Sequence, residues 1–117
     1  MQGYKDLLVW QKAMQLVKEI YILTKLLPKE EMYALCNQMH RAAVSIPSNI
    51  AEGHSRNSDK ELLQFLYIAR GSKAELETQL DIGVMLGYFS EKDITQAVEL
   101  CNEVGRMLNS FIAKLKS

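Results

Sequence analysis

Apolar side chains recur along this chain in steps of three and four, in four separate runs, and nowhere alternate with period two for long enough to build a strand. That periodicity restricts the chain to helices. From about Leu7 to Leu26 the run is Val9, Ala13, Leu16, Val17, Ile20 and Leu23, one face of a first helix. Asp6 is placed to cap its start, and Leu27-Pro28 ends it, because the residue before a proline is driven out of the α region. A second helix is predicted from near Glu30, burying Leu35, Met39, Ala42, Ile46 and Ile50, with Gly53 and the polar HSRN segment as its break. Ser58 with Glu61 three residues on is a capping box for a third helix, whose buried face is Leu62, Phe65, Leu66, Ala69, Leu76, Leu80 and Gly83. Gly87 sits where a helix ends on a left-handed residue. Ser90 with Asp93 repeats the capping signal, flanked by Phe89 and Ile94 as a hydrophobic staple. A fourth helix then buries Ile94, Ala97, Cys101, Leu108, Ile112 and Leu115. The expected fold is all-α, an antiparallel up-down-up-down four-helix bundle forming one domain over residues 1–117.

Composition removes several functional classes. Lys+Arg and Asp+Glu both number 14, so bulk charge does not drive nucleic-acid binding, and any such contact needs a local basic patch. Two cysteines, Cys36 and Cys101, are too few for a disulfide scaffold. The opening MQGYKDLLVWQKA carries charges where a secretory leader needs an apolar core. No run approaches the roughly 20 apolar residues that span a bilayer. The expectation is a cytoplasmic protein without membrane contact.

Catalytic chemistry finds little support. A di-iron bundle needs Glu-x-x-His pairs, and the chain has none. Cys36 and His40 share one helix face at i, i+4, a spacing open to a metal or a nucleophile pair, but no orienting carboxylate or oxyanion hole accompanies them. They read as a buried cysteine beside a partly exposed histidine. Glu75 and Glu77 point to different sides of a helix, and no glycine loop is built to cradle phosphate. The chain is read as a non-enzyme with no cofactor and no metal. Gly83 and Gly87 read as close packing plus a helix cap. Gly71, inside the third helix, costs about 1 kcal/mol relative to alanine and calls for a compensating close helix approach. The small residues Ala42, Ala43, Ser45, Ser48 and Ala51 suggest the same on the second helix.

Pro47 is the feature that this scheme does not explain. Within a helix it deletes one donor and strands the carbonyl of Ala43, at a cost of about 3 kcal/mol, so the second helix is expected to kink there. Around it Gln38, Arg41, Ser45, Ser48 or Asn49, Glu52 and Arg56 form a polar stripe, answered on the third helix by Arg70, Ser72, Lys73, Glu75 and Glu77. Two readings stand. In one, Ser45, Asn49, Glu52, Ser72 and Glu75 belong to a polar network between helices or between subunits that fixes register. In the other, Arg41, Arg56, Lys60, Arg70 and Lys73, with His40 and His54 nearby, form a surface for an anionic partner.

The segments LLVWQKAMQLVKEIY, QMHRAAVSIPSNIAEGHSRNS and FLYIARGSKAELETQL together resemble the 23S rRNA intervening-sequence proteins, over nearly the whole chain from Tyr4 to about Leu115. The SIPSNIAEG segment is specific, because a proline flanked by serine and asparagine inside a helix is a rare choice. Ser45, Pro47, Asn49, Glu52, Gly53, Arg56, Arg70, Gly71, Ser72 and Glu75 carry the match, whereas Lys73 departs from a pattern that favours a less polar residue. The resemblance implies a four-helix bundle assembled into a ring-like homo-oligomer, a pentamer, with no enzymatic activity. It also implies kinship with the accessory proteins of diversity-generating retroelements, basic bundles that partner a reverse transcriptase and bind nucleic acid. The expectation is therefore a homo-oligomeric adaptor contacting RNA or a nucleic-acid enzyme such as a reverse transcriptase, the alternative being a purely structural oligomerisation or protein-interaction module.

Overall fold

The computed structural model describes residues 3–117, so the first two residues of the expected domain lie outside it. Four α-helices account for most of them: α1 Leu8–Leu23, α2 Leu35–His54, α3 Asp59–Met85 and α4 Thr95–Lys116. Helix α2 packs against α1 and α3, and α4 closes the ring by packing against the same two. The α2–α3 pair is the most extensive. At about 1.5 Å per residue the 27 residues of α3 give the bundle its length, the longest of its extents of 43 × 23 × 21 Å. Contacts between α2 and α3 run from Gly53 on Phe65, through Ser45 on Ser72, to Gln38 on Gln79, so numbers fall along one helix as they rise along the other.

The predicted apolar faces form the core. Val9, Ala13, Leu16, Ile20 and Leu23 of α1, Met39, Ala42, Ile46 and Ile50 of α2, Leu66, Ala69, Leu76 and Leu80 of α3, and Ala97, Cys101, Val104, Leu108 and Ile112 of α4 belong to one buried cluster. Leu35, Leu62, Phe65 and Leu115 are half-buried at its margin. No helix among the described residues is long and apolar enough to cross a membrane.

The ends of the elements differ from expectation in instructive ways. Asp6 is not the cap of α1. It belongs to a 3₁₀ turn over Tyr4–Asp6, and Leu7, extended at φ −73° and ψ 126°, precedes the helix without any side-chain cap. The turn is tied back by Gln11, which donates Nε2–H to the Lys5 carbonyl at 2.8 Å. After Leu23 the chain tightens into a 3₁₀ turn over Thr24–Leu26, ahead of Pro28. Helix α2 does not begin near Glu30 either. Lys29–Glu31 form a separate 3₁₀ turn, and Ala34, at φ −123° and ψ −103°, delays the helix to Leu35. Glu31 still serves it, accepting the Leu35 N–H on Oε1 at 3.2 Å.

Gly53 is not a break but lies within α2, which also continues through the buried Pro47. The glycine is there for space, since a Cβ would sit 2.8 Å from Phe65 Cβ and 3.0 Å from Leu62 Cδ1. Ser58 caps α3 as read, accepting the Glu61 N–H at 3.2 Å. Gly87, at φ +81°, closes α3 in a Schellman arrangement: Tyr88 N–H reaches Gly83 O at 2.9 Å and Gly87 N–H reaches Val84 O at 3.0 Å. Ser90 and Asp93 exchange backbone N–H bonds at 2.9 and 3.0 Å, with Phe89 and Ile94 buried beside them, although regular helix starts only at Thr95.

Candidate functional site

The small side chains of α2 leave a polar cleft between it and α3. Two rungs bound it. At one end the hydroxyls of Ser45 and Ser72 lie 2.8 Å apart, and Asn49 donates Nδ2–H to both the carbonyl and the hydroxyl of Ser45, at 2.8 and 2.9 Å. At the other, Gln79 donates Nε2–H to the Gln38 carbonyl at 3.3 Å. Between them lies a cleft of about 440 Å³ lined by Asn37, Gln38, Arg41, Ala42, Ser45, Ser72 and Glu75. Arg41 on the α2 wall and Glu75 on the α3 wall are both exposed, and neither has a salt-bridge partner among the described residues. Gln79 Oε1 is buried without a hydrogen-bond partner, a loss of about 1–3 kcal/mol for such a group.

Around the corner of α2, on its α1 side, lies a second cleft of about 400 Å³ formed by Tyr21, Asn37, His40, Arg41, Val44 and Ser45. Here the His40 imidazole stacks on the Tyr21 ring, with centroids 3.7 Å apart and planes within 10°. Its Nε2 lies 2.8 Å from Thr24 Oγ1 and 3.8 Å from Cys36 Sγ. Burial lowers the His40 pKa from its ordinary 6.5, so the ring is neutral at physiological pH. Arg41 is common to both clefts.

The five basic residues singled out in the sequence do not form one patch. Arg41 stands at the two clefts, and Lys60 is exposed near the α2–α3 turn without a salt-bridge partner among the described residues. Arg56 pairs with Glu52 at 2.6 Å and lies over the Phe65 ring, 4.9 Å from its centroid. Arg70 turns toward α4, donating to Asn109 Oδ1 at 3.1 Å and lying over Tyr67. Lys73 also turns to α4. Its stem crosses Gly105, its ammonium meets Glu77 at 3.0 Å, and its side chain is only 15% exposed. The departure noted at Lys73 is thus accommodated by a glycine on the facing helix, a relation that spacing within α3 alone does not reveal.

Cys36 is half-buried rather than buried, beside the half-buried His40. Cys101 is buried, and its thiol is pushed up to about 12, first by burial and then by Glu77, against a smaller opposing effect of Lys73. Among the described residues no three His, Cys, Asp or Glu side chains come together. Gly71 has no close helix approach: it is exposed, and a Cβ there would meet nothing within 4 Å. The sequence reading missed Tyr21 and Asn37. Tyr21 lies outside the apolar face of α1, and only the stack on His40, 19 residues away in sequence, gives it a role.

Residues 5–110 match the family model described as 23S rRNA-intervening sequence protein. No curated protein matches the chain. Among solved structures the fold is similar to a crystal structure from Bacteroides thetaiotaomicron VPI-5482, of a protein with unknown function from the S23 ribosomal protein family. The TM-score is 0.83 at 24% identity, over 90% of this chain and 98% of that one, a likeness of fold.

Proposed function

This chain belongs to the 23S rRNA-intervening sequence protein family, and on that premise we propose that it is a non-enzymatic, homo-oligomeric helical-bundle adaptor that contacts RNA or a nucleic-acid enzyme such as a reverse transcriptase. The observation that carries this reading is Arg41, an exposed guanidinium between two clefts with no salt-bridge partner among the described residues. A free guanidinium on a neutral protein is a ready phosphate contact, and such contacts position a nucleic acid without reading its sequence. Lys60 and Arg70 add charge and have no salt bridge among the described residues, whereas Arg56 and Lys73 are already engaged by Glu52 and Glu77. Assembly into a ring, a pentamer as the family resemblance implies, would repeat the Arg41 site once per subunit, so that weak contacts add up on one partner.

A second reading, a purely structural oligomerisation module, is favoured by the exposed apolar residues Leu8, Met14, Ile22, Leu26 and Ile68 and by the open surface over Gly71. Fluorescence anisotropy of structured RNA and single-stranded DNA across a salt series separates the two. Wild type, Arg41→Ala and Arg56→Ala/Arg70→Ala are compared, each with its mass measured by light scattering. The adaptor reading expects RNA binding that weakens steeply with salt, and weaker binding by a variant that still assembles. Absence of binding at low salt, with a variant that falls to 13.3 kDa monomers, contradicts it and favours the structural module.

A further inference from the structure

The cleft on the α1 side of α2 differs from its neighbour in one decisive respect: it contains an arginine and no carboxylate. In the α2–α3 cleft Glu75 faces Arg41, and its charge opposes any phosphate there. The lining of the other cleft is Tyr21, Asn37, His40, Arg41, Val44 and Ser45, without an acid. One face of Tyr21 is covered by His40, yet 44% of the residue stays exposed and it lines the cleft. A large amphipathic ring held face-on by a second ring, yet left exposed at a cleft, is more than a contact between two helices requires.

The platform is also rigid. His40 sits in the second turn of α2, Tyr21 in the last turn of α1, and the contact between His40 Nε2 and Thr24 Oγ1 at 2.8 Å ties the imidazole to the end of α1. The neutral imidazole adds no ion to the stack. Single-stranded nucleic acids are held by this combination of parts, an aromatic face for the base and a nearby cation for the backbone.

We propose that the exposed face of Tyr21, backed by His40, is a stacking platform for an unpaired base of a single-stranded nucleic acid, with Arg41 taking the adjoining phosphate. The inference rests on the nucleic-acid reading above and narrows it from any RNA to an unpaired segment. Asn37, with an amide able to donate to or accept from a base edge, and the apolar Val44 also line the cleft. Tyr21 is the stacking residue and His40 its positioning residue.

The test uses the full chain and two fluorescent single-stranded RNA 10-mers at low salt, one with bases and one abasic throughout, so that their phosphates are matched. Wild type is expected to prefer the base-bearing strand by roughly 5- to 150-fold per base stacked. Tyr21→Ala should bind both strands as wild type binds the abasic one, and Tyr21→Phe should keep the preference. Tyr21→Leu, which keeps an apolar contact with the imidazole, replaces the alanine variant if that variant melts below the assay temperature. Equal wild-type binding of the two strands, or a preference that survives Tyr21→Ala, overturns the platform while leaving phosphate contact intact. Failure to bind either strand overturns both the platform and the nucleic-acid contact on which it rests.

Discussion

A methyl group at Gly53 would press against Phe65 and Leu62, while one at Gly71 would meet only open space. Both are helix-interior glycines within segments that carry the family resemblance, but their substitutions should act in opposite directions. Gly71→Ala is expected to raise stability by about 0.5–1 kcal/mol through lower chain entropy and better helix propensity, whereas Gly53→Ala should lower it by about 1–3 kcal/mol through overpacking. Chemical denaturation of each variant measures this, and a destabilising Gly71→Ala would mean that a partner covers that surface. Local sequence does not separate the two glycines, because the difference lies in what another helix brings opposite them. The cysteines divide in the same way. Cys36 is half-buried, but Cys101 is buried with a pKa of about 12 and stays a thiol at neutral pH. A thiol-disulfide reagent should therefore titrate one cysteine per chain in the native protein and both after unfolding. Two rapid native reactions would contradict the burial of Cys101.

At the scale of elements, what was legible in the sequence was what is local. The Ser58 and Ser90 caps, the Gly87 terminus and the apolar faces each depend on residues within a few positions, and each is found in the structure. The start of α2 was not legible. Its donor at Leu35 is satisfied by Glu31 from a preceding 3₁₀ turn, and the same carboxylate accepts the Tyr88 hydroxyl from beyond α3 at 2.8 Å. That hydrogen bond is the main reason the Tyr88 pKa is raised. The junction of α1 and α2 is likewise made by distant partners, Thr24 and Tyr21 on His40. Because burial lowers the His40 pKa in the fold, the unfolded chain takes up its proton first as pH falls through 6.5. Stability from this group is therefore full above that pH and is lost below it. Urea midpoints of wild type and His40→Gln should show wild type losing ground to the variant between about pH 7.5 and pH 5.5. A difference that does not change with pH, or one that moves the other way, would mean that His40 is not desolvated in the fold.

For the whole molecule, equal numbers of acids and bases leave no net charge to draw a partner, so function falls to where individual charges stand. The polar stripe seen in the sequence divides accordingly. Ser45, Asn49 and Ser72 tie α2 to α3, Glu52 and Glu77 hold Arg56 and Lys73, and Arg41 is left facing solvent. The two ion pairs are i, i+4 pairs within one helix, which spacing alone predicts, whereas the Ser45–Ser72 bond and the cleft beside Arg41 depend on how α2 and α3 pack. The account turns on Arg41, and its most direct test is the slope of log affinity against log salt for single-stranded RNA, for wild type and Arg41→Ala. Each phosphate contact adds about 0.7 to that slope. The account predicts that Arg41→Ala, with its mass unchanged by light scattering, binds more weakly and with a slope lower by about 0.7 for each subunit on the RNA. An unchanged slope and affinity would contradict it, and would leave Arg41 a surface charge with no part in function.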